Sequence, residues 1–123
     1  MKEQTIRVLK VEPKKEAVSF MLKNELSELQ KAVSGYIELV PLDDMGNCIL
    51  CNEEGKLRGL PGNRHVGHDI IAGTFFVVGS NDEGDLTSLS DEALKTYMEL
   101  FKTPEDISDD EVRTAIFAKI IAF

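Results

Sequence analysis

Two cysteines and two histidines are the residues of this chain whose types and spacing best match a metal site. Cys48 and Cys51 are followed by His65 and His68 in the spacing C-x2-C-x13-H-x2-H. Zinc takes four nitrogen or sulfur ligands, and a cysteine pair followed by a histidine pair is a common zinc frame. However, residues three apart on a strand point to opposite faces of the sheet. The alternative is two strand cysteines and two loop histidines, and we predict a fold that needs neither metal nor another cofactor.

The same stretch contains the side-chain types for nucleophilic catalysis. Cys51 could be paired with His65 or His68 as a base, and Asp69 could orient that base. A nucleophilic cysteine needs its base within hydrogen-bonding distance, and the spacing does not bring these residues together. The glycines between positions 55 and 62 also lack the strand–loop–helix setting of a phosphate-binding loop. We therefore predict that the protein is not an enzyme.

A third group of polar residues favours a binding site. Tyr36 and Glu38 are two residues apart on a predicted strand and therefore share one face. An arginine can bind a carboxylate or phosphate through two parallel bonds, and an asparagine can donate and accept at once. The predicted ligand- or partner-binding residues are Tyr36, Glu38, Asn52, Lys56, Asn63 and Arg64. The alternative is a structural network in which the asparagines hold turns and Glu38 pairs with Arg64 or Lys56.

Asn63 and Arg64 follow the dipeptide Pro61-Gly62. This dipeptide favours a sharp turn after which the next side chains project. We therefore expect the two residues to matter more for binding than for folding. On this reasoning, Arg64→Ala weakens binding and leaves the melting temperature nearly unchanged.

The elements that must position these residues follow from hydrophobic periodicity and from turn and cap residues. The pattern predicts an α+β fold with a mainly antiparallel sheet of four or five strands, a short helix and a C-terminal helical pair. Asn24 is the predicted N-cap of the short helix and Gly35 its left-handed stop. The predicted strands are Ile6–Val11, Ala17–Phe20, Tyr36–Leu42, Cys48–Asn52 and Ile70–Val78, and the later helices begin after Ser90 and Ser108.

Apolar residues cover more than one face of the final predicted helix. Phe117, Ile121 and Phe123, which we call the C-terminal apolar set, lie off its main stripe. A helix that is apolar on several sides must be covered on several sides. We therefore predict that this set forms an interface, most simply in a homodimer. The alternative is close packing within one chain.

Length and charge limit the function classes. The chain has 123 residues and a net charge of −8, with 22 acidic and 14 basic residues. This length predicts a single domain over 1–123, and the C-terminal helix is predicted to occupy 101–123. The acidic balance argues against direct nucleic-acid binding. The chain has no signal-peptide pattern and no apolar run long enough for a membrane span, so we expect a cytoplasmic location and free thiols.

Three segments carry a family resemblance. They are Gly35-Tyr36-Ile37-Glu38, the polar stretch from Cys51 to Arg64, and the apolar stretch from Asp69 to Gly79. Together they resemble domain of unknown function 3846, over about residues 5 to 100. The resemblance implies a family-like core over 1–100. The resemblance implies a phage or mobile element of Gram-positive bacteria as the source, but it assigns no residue a role.

Two classes of function are consistent with these observations. The first is a non-enzymatic accessory protein that binds and neutralises a host factor, for example an anti-defence inhibitor such as an anti-CRISPR. Its carboxylates could occupy a basic groove of the host protein. The second is a protein that sequesters a small molecule or a nucleotide signal with Arg64, Asn63 and Tyr36. A zinc-stabilised module is a further alternative.

Overall fold

A computed structural model describes residues 3–121, with side chains described through residue 116. Its strands and helices are largely segregated along the chain, with six consecutive strands between the first helix and the last two, and the predicted α+β fold class is confirmed. None of the helices in this described part has the length and apolar character needed to cross a bilayer. The elements are β1 (Thr5–Val11), β2 (Val18–Lys23), α1 (Leu26–Val33), β3 (Ile37–Pro41), β4 (Cys48–Asn52), β5 (Gly62–Val66), β6 (Asp69–Ala72), β7 (Phe75–Ser80), β8 (Leu86–Thr87), α2 (Asp91–Leu100) and α3 (Asp109–Ile121).

The main sheet is antiparallel and has β7 at its centre. Its strand order is β2-β1-β7-β4-β3, and β8 pairs with β7 beside this path. Strand β7 is buried on both faces, because Phe75 and Val77 face one core cluster while Phe76 and Val78 face the other. Alternate residues of a strand point to opposite faces, so each face of the sheet supports its own layer. Helix α1 covers one face, and α2 covers the other.

A second, two-stranded sheet is formed by the hairpin of β5 and β6. The sequence pattern did not predict it, since Ile70–Val78 was expected to be one strand. That expectation is wrong because Gly73, at a φ of 85°, separates β6 from β7. A positive φ is readily adopted by glycine, so the apolar run can bend there and enter two different sheets.

The short helix α1 also differs from its predicted caps. Asn24 is buried, and its side-chain amide donates to the carbonyls of Glu3 and Leu86. It therefore does not cap the helix, and Glu25 occupies the N-cap position without a side-chain bond. The left-handed position at the other end is Ser34, at a φ of 64°, whereas Gly35 was expected there. The observed caps, Glu25 and Ser34, each lie one position from the predicted caps, Asn24 and Gly35.

The two later helices begin as predicted. The Ser90 hydroxyl accepts a hydrogen bond from the Ala93 amide, and the Ser108 hydroxyl accepts one from the Glu111 amide. The Glu111 carboxylate in turn accepts a bond from the Ser108 amide, which completes a capping box. These reciprocal bonds satisfy amides that have no partner within the helix.

Helix α2 is tied to the turn between β3 and β4 by one carboxylate. Asp43 accepts hydrogen bonds from the Tyr97 hydroxyl at 2.5 Å, from the Asn47 side chain, and from the amides of Met45 and Asn47. Burial raises the pKa of Asp43, but these donors outweigh it and lower the pKa to about 2. Burial and the neighbouring carboxylate raise the pKa of Tyr97 to about 12. The pair therefore links the packing of α2 to the charge of Asp43.

Candidate functional site

A cleft of about 390 Å³ lies between the main sheet and the β5–β6 hairpin, and we call it the hairpin cleft. Strands β3 and β4 form its floor, the loop after β4 forms its rim, and Ile116 of α3 closes one side. The cleft thus lies where the two sheets diverge. Its lining residues are Glu38, Val40, Cys51, Asn52, Glu53, Glu54, Gly55, Lys56, Leu57, Val66, Asp69, Ile70, Ile71, Ala72 and Ile116.

Strand pairing fixes the floor of the cleft. Glu38 and Val40 are two residues apart on β3 and face the cleft together. Cys51 lies directly opposite Glu38 in the antiparallel register of β3 and β4. Its thiol is 4.0 Å from Oε1 of Glu38. The backbone pairing of β3 and β4 therefore holds the Glu38 carboxylate and the Cys51 thiol next to each other.

The loop that forms the rim is anchored by Asn52 and a glycine. The Asn52 side chain donates to the carbonyl of Val33 at 3.0 Å and accepts from the amide of Glu54 at 2.8 Å. A side chain at Gly55 would place its Cβ 2.6 Å from the carbonyl oxygen of Ala72, so only glycine allows this approach to the hairpin. Asn52 therefore holds a turn, as the structural alternative predicted, while it also lines the cleft.

Lys56 is the cationic side chain among the described lining residues, and it is already paired. Its ammonium group lies 2.5 Å from Oδ1 of Asp69, and its side chain is 15% exposed. Lys56 is therefore paired with Asp69 and not with Glu38, which was one pairing that the structural alternative offered. Asp69 begins β6, so this ion pair joins the rim loop to the hairpin.

Tyr36 lies apart from this cleft, although the pattern placed it on the same face as Glu38. It precedes β3 and is 69% exposed. It lines a smaller cavity of about 250 Å³ with Asn52, Arg58 and other residues. Because residue 36 lies outside the regular strand, the alternation that relates strand residues does not extend to it. The structure thus separates Tyr36 from Glu38 and Lys56.

Asn63 and Arg64 do not project from the turn, and the expectation that they do is wrong. Asn63 is 0% exposed and Arg64 is 1% exposed. The register of β5 on β6 shifts between Gly62 and Arg64. Such a bulge allows two consecutive side chains to turn inward, whereas a regular strand would send one outward.

The buried guanidinium of Arg64 is surrounded by oxygen acceptors. It donates to the carbonyls of Phe101 at 2.9 Å and Lys15 at 2.6 Å, and to Oδ1 of Asn63 at 2.9 Å. Asn63 itself donates to the carbonyls of Val11 and Gly73. Burial lowers the pKa of Arg64, and the charge of Glu105 opposes that shift. The two residues therefore connect the β1–β2 turn, the end of α2 and the hairpin.

The four residues of the predicted zinc frame are dispersed. Cys48 and Cys51 belong to the core clusters on opposite faces of the main sheet, as their spacing predicted. Burial raises the pKa of the Cys48 thiol, and the charge of Asp43 raises it further. No group of three or more potential metal ligands occurs in the part of the chain that the structure describes. The prediction that the fold does not depend on metal remains to be tested.

Both histidines belong to the hairpin, but only His68 is a loop residue, whereas both were expected in a loop. His65 is on β5, where its Nδ1 is 2.5 Å from the carboxylate of Glu105 and its Nε2 is 3.6 Å from that of Glu111. His68 lies in the exposed turn between β5 and β6. His65 therefore attaches the hairpin to the start of α3 and is not next to the thiol of Cys51.

The C-terminal apolar set lies outside the described side chains, so its predicted interface remains a prediction.

The hairpin wall of the cleft, which includes Val66, Asp69 and Ile71, was not predicted from the sequence. The turn at Gly67, which has a φ of 61°, lies between two short strands and is the signal that could have indicated this hairpin.

A family model described as Domain of unknown function (DUF3846) matches residues 6–102. This range covers most of the 123 residues, and the chain belongs to that family. No curated protein and no solved structure matches the chain.

Proposed function

We propose that this member of the domain of unknown function 3846 family is a non-enzymatic binding protein whose ligand occupies the hairpin cleft. The observation that carries the proposal is the cleft itself. Its volume of about 390 Å³ lies within the range of about 300–1,000 Å³ that small-molecule sites occupy. Its walls combine apolar side chains from both sheets with a few charged groups, and such groups fix the orientation of a ligand.

The arrangement around Cys51 supports binding more than catalysis. The thiol of Cys51 lies 4.0 Å from Oε1 of Glu38, whereas the imidazole of His65 contacts the carboxylates of Glu105 and Glu111. A nucleophilic cysteine requires a base that can take its proton and a second group that orients the base. His65, a candidate base, is instead paired with Glu105 and Glu111.

The charges of the cleft argue against the nucleotide ligand that Arg64 suggested. The described lining residues include four carboxylates and one ammonium group, and that ammonium is paired with Asp69. A phosphate group would be repelled by the carboxylates, and Arg64 is buried in hydrogen bonds to carbonyls where it cannot compensate them. We therefore propose a small molecule that is not an anion.

The neutralisation of a host factor is a second candidate function. Leu57 is 73% exposed at the rim of the hairpin cleft, next to the exposed carboxylates of Glu53 and Glu54. The net charge of −8 would steer a basic partner towards the protein, where the exposed Leu57 side chain is available for contact. Leu57→Ser should then weaken the capture of a host protein, and Leu100→Ser, at another exposed leucine, serves as the control. An anti-defence role in a phage or mobile element belongs to this candidate.

The binding proposal can be tested with a pair of tryptophan variants on one strand. Val40→Trp fills the cleft from β3, while Leu39→Trp adds the same side chain on the opposite face, where Leu39 is 44% exposed. Small organic compounds would be screened by amide chemical shifts of the labelled protein. We expect compounds that shift cleft residues, that bind the Leu39→Trp protein and that fail to bind the Val40→Trp protein.

A bound compound should also stabilise the fold. At a concentration of about 100 times Kd, the free energy of unfolding should rise by about 2.7 kcal/mol. If no compound shifts the cleft residues, or if Val40→Trp leaves binding unchanged while the protein remains folded, the proposal is wrong.

A further inference from the structure

The geometry points to a small organic cation, with an ammonium or amidinium group on an apolar body, as the ligand of the hairpin cleft, and it points to Glu38 as the residue that binds the charged group. This inference rests on the proposed function, because it assigns a chemical class to the ligand of the same cleft. Three features of the described residues carry it: the position of Glu38, the pairing of Lys56 and the character of the walls.

Glu38 is a partly buried carboxylate on the floor of the cleft. It participates in no ion pair among the side chains described through residue 116, and its described hydrogen-bonding neighbour is the thiol of Cys51 at 4.0 Å. A thiol is a weak donor and leaves most of the acceptor capacity of a carboxylate unused. A carboxylate that is partly withdrawn from water gains from a cation or from donors that offset the lost hydration. A ligand that brings an N–H cation supplies both.

Lys56 does not supply that cation to Glu38. Its ammonium group is 2.5 Å from Asp69, on the hairpin side of the cleft, and this contact is formed by a side chain that is only 15% exposed. Moving Lys56 to Glu38 would break a charge-assisted hydrogen bond to make another, with no gain in pairing. Among the side chains described through residue 116, the cleft therefore presents an ion pair on one wall and a carboxylate without a cationic partner on its floor.

The remaining walls fit an apolar body. Val40, Val66, Ile71 and Ile116 line the cleft from the floor, the hairpin and α3. Apolar surface that a ligand buries against these side chains contributes about 25 cal/mol per Å². The charged group would then bind Glu38 on the floor, and the body would lie between the sheets. Because Glu38 is held by the paired backbone of β3 and β4, the site needs little ordering on binding.

The test uses three probes of equal length that differ in charge: pentylammonium, pentanol and pentanoate. Each is titrated into the labelled full chain, and the shifts of cleft amides give its Kd. We expect the ammonium probe to bind tightest, since a hydrogen bond to a charged group gives about tenfold or more in affinity. We expect Glu38→Gln to remove that preference while the alcohol still binds. Glu83→Gln, which makes the same charge change in the exposed turn at residues 81–85, should leave the preference intact.

The outcomes separate this inference from the proposed function. If the alcohol or the carboxylate shifts the cleft amides as strongly as the ammonium probe, the cleft binds ligands and the cation inference is overturned. If no probe shifts them, the cation inference is overturned, and the compound screen alone decides the proposed function. A preference that survives Glu38→Gln would overturn the role of Glu38, and the wild-type series alone decides the ligand class if that variant does not fold.

A fourth probe tests the source of the cation. A blocked tripeptide, acetyl-Gly-Lys-Gly-amide, carries the same ammonium group on a peptide backbone. We expect it to bind more weakly than pentylammonium, because its backbone cannot enter the cleft. Tighter binding of the tripeptide would overturn the assignment to a small molecule in favour of a partner's lysine side chain.

Discussion

Removal of the Arg64 guanidinium should destabilise the fold strongly, although the side chain lies in a segment that looks like a surface loop in the sequence. Arg64→Met keeps an unbranched apolar stem and removes the donors. The Phe101 carbonyl, the Lys15 carbonyl and Oδ1 of Asn63 then lose donors that lie at 2.9, 2.6 and 2.9 Å. A buried acceptor without a partner costs about 1–3 kcal/mol.

The buried charge reduces this loss, because the variant no longer has to desolvate a guanidinium. Taking both effects together, we expect the free energy of unfolding to fall by about 3–5 kcal/mol. This is a large part of the total stability of about 5–15 kcal/mol for a domain. The melting temperature should fall by about 10–20 °C.

Urea unfolding followed by circular dichroism measures this change through the midpoint and the m-value. Arg113→Met is the matched control, because Arg113 is 66% exposed and pairs with Asp110 within α3. We expect the control to change stability by about 0.5 kcal/mol or less. If Arg64→Met loses less than about 1 kcal/mol, the carbonyls do not depend on Arg64, and the structural role assigned to it is wrong.

Three further predictions concern the pH dependence, the metal dependence and the assembly of the protein. Because the pKa of Asp43 is about 2 and its ordinary value is 3.8, its stabilising contribution should be complete above pH 3.8 and be lost as the pH falls towards 2. Tyr97, with its pKa raised from 10.0 to about 12, should contribute fully below pH 10.0 and lose its contribution as the pH rises towards 12. Urea unfolding of Tyr97→Phe across pH should show both dependences reduced, and Tyr36→Phe should leave them unchanged. Metal analysis should find no stoichiometric zinc, and a strong chelator should leave the midpoint unchanged; zinc that is lost together with the fold on Cys51→Ser would contradict this. Light scattering should show a dimer that glutamate substitutions in the C-terminal apolar set convert to a monomer, and a monomer in the unmodified protein would contradict it.

Local signals were sufficient to predict much of the fold. The β3–β4 hairpin follows from two apolar segments separated by a turn, and the caps Ser90 and Ser108 act within three residues of themselves. Each of these features is formed by residues that are close in sequence, so a short segment of the sequence is enough to predict it. The same applies to the opposite faces of Cys48 and Cys51, which depend only on strand parity.

The features that were not predicted depend on contacts between distant residues. Arg64 binds carbonyls that lie 37 and 49 positions away, and a carbonyl is present at every residue, so the sequence does not mark its acceptors. The division of the run at Ile70–Val78 also depends on which sheet each half enters, since the glycine at 73 allows a bend without requiring one. Hydrophobic periodicity predicts which apolar residues are buried, so it could not predict the burial of the polar residues Asn63 and Arg64.

The chemistry of the side chains explains how the polar residues divide between the fold and the cleft. Arg64 and Asn63 carry several N–H donors, so they can satisfy the backbone carbonyls where turns and helix ends meet, and burial suits them. A carboxylate has no donor to offer those carbonyls. Glu38 therefore cannot replace them in the interior. It lines the floor of the hairpin cleft, where we propose that its acceptors bind a ligand. By the same reasoning, Glu38→Gln should change ligand preference far more than stability, and Arg64→Met should do the reverse.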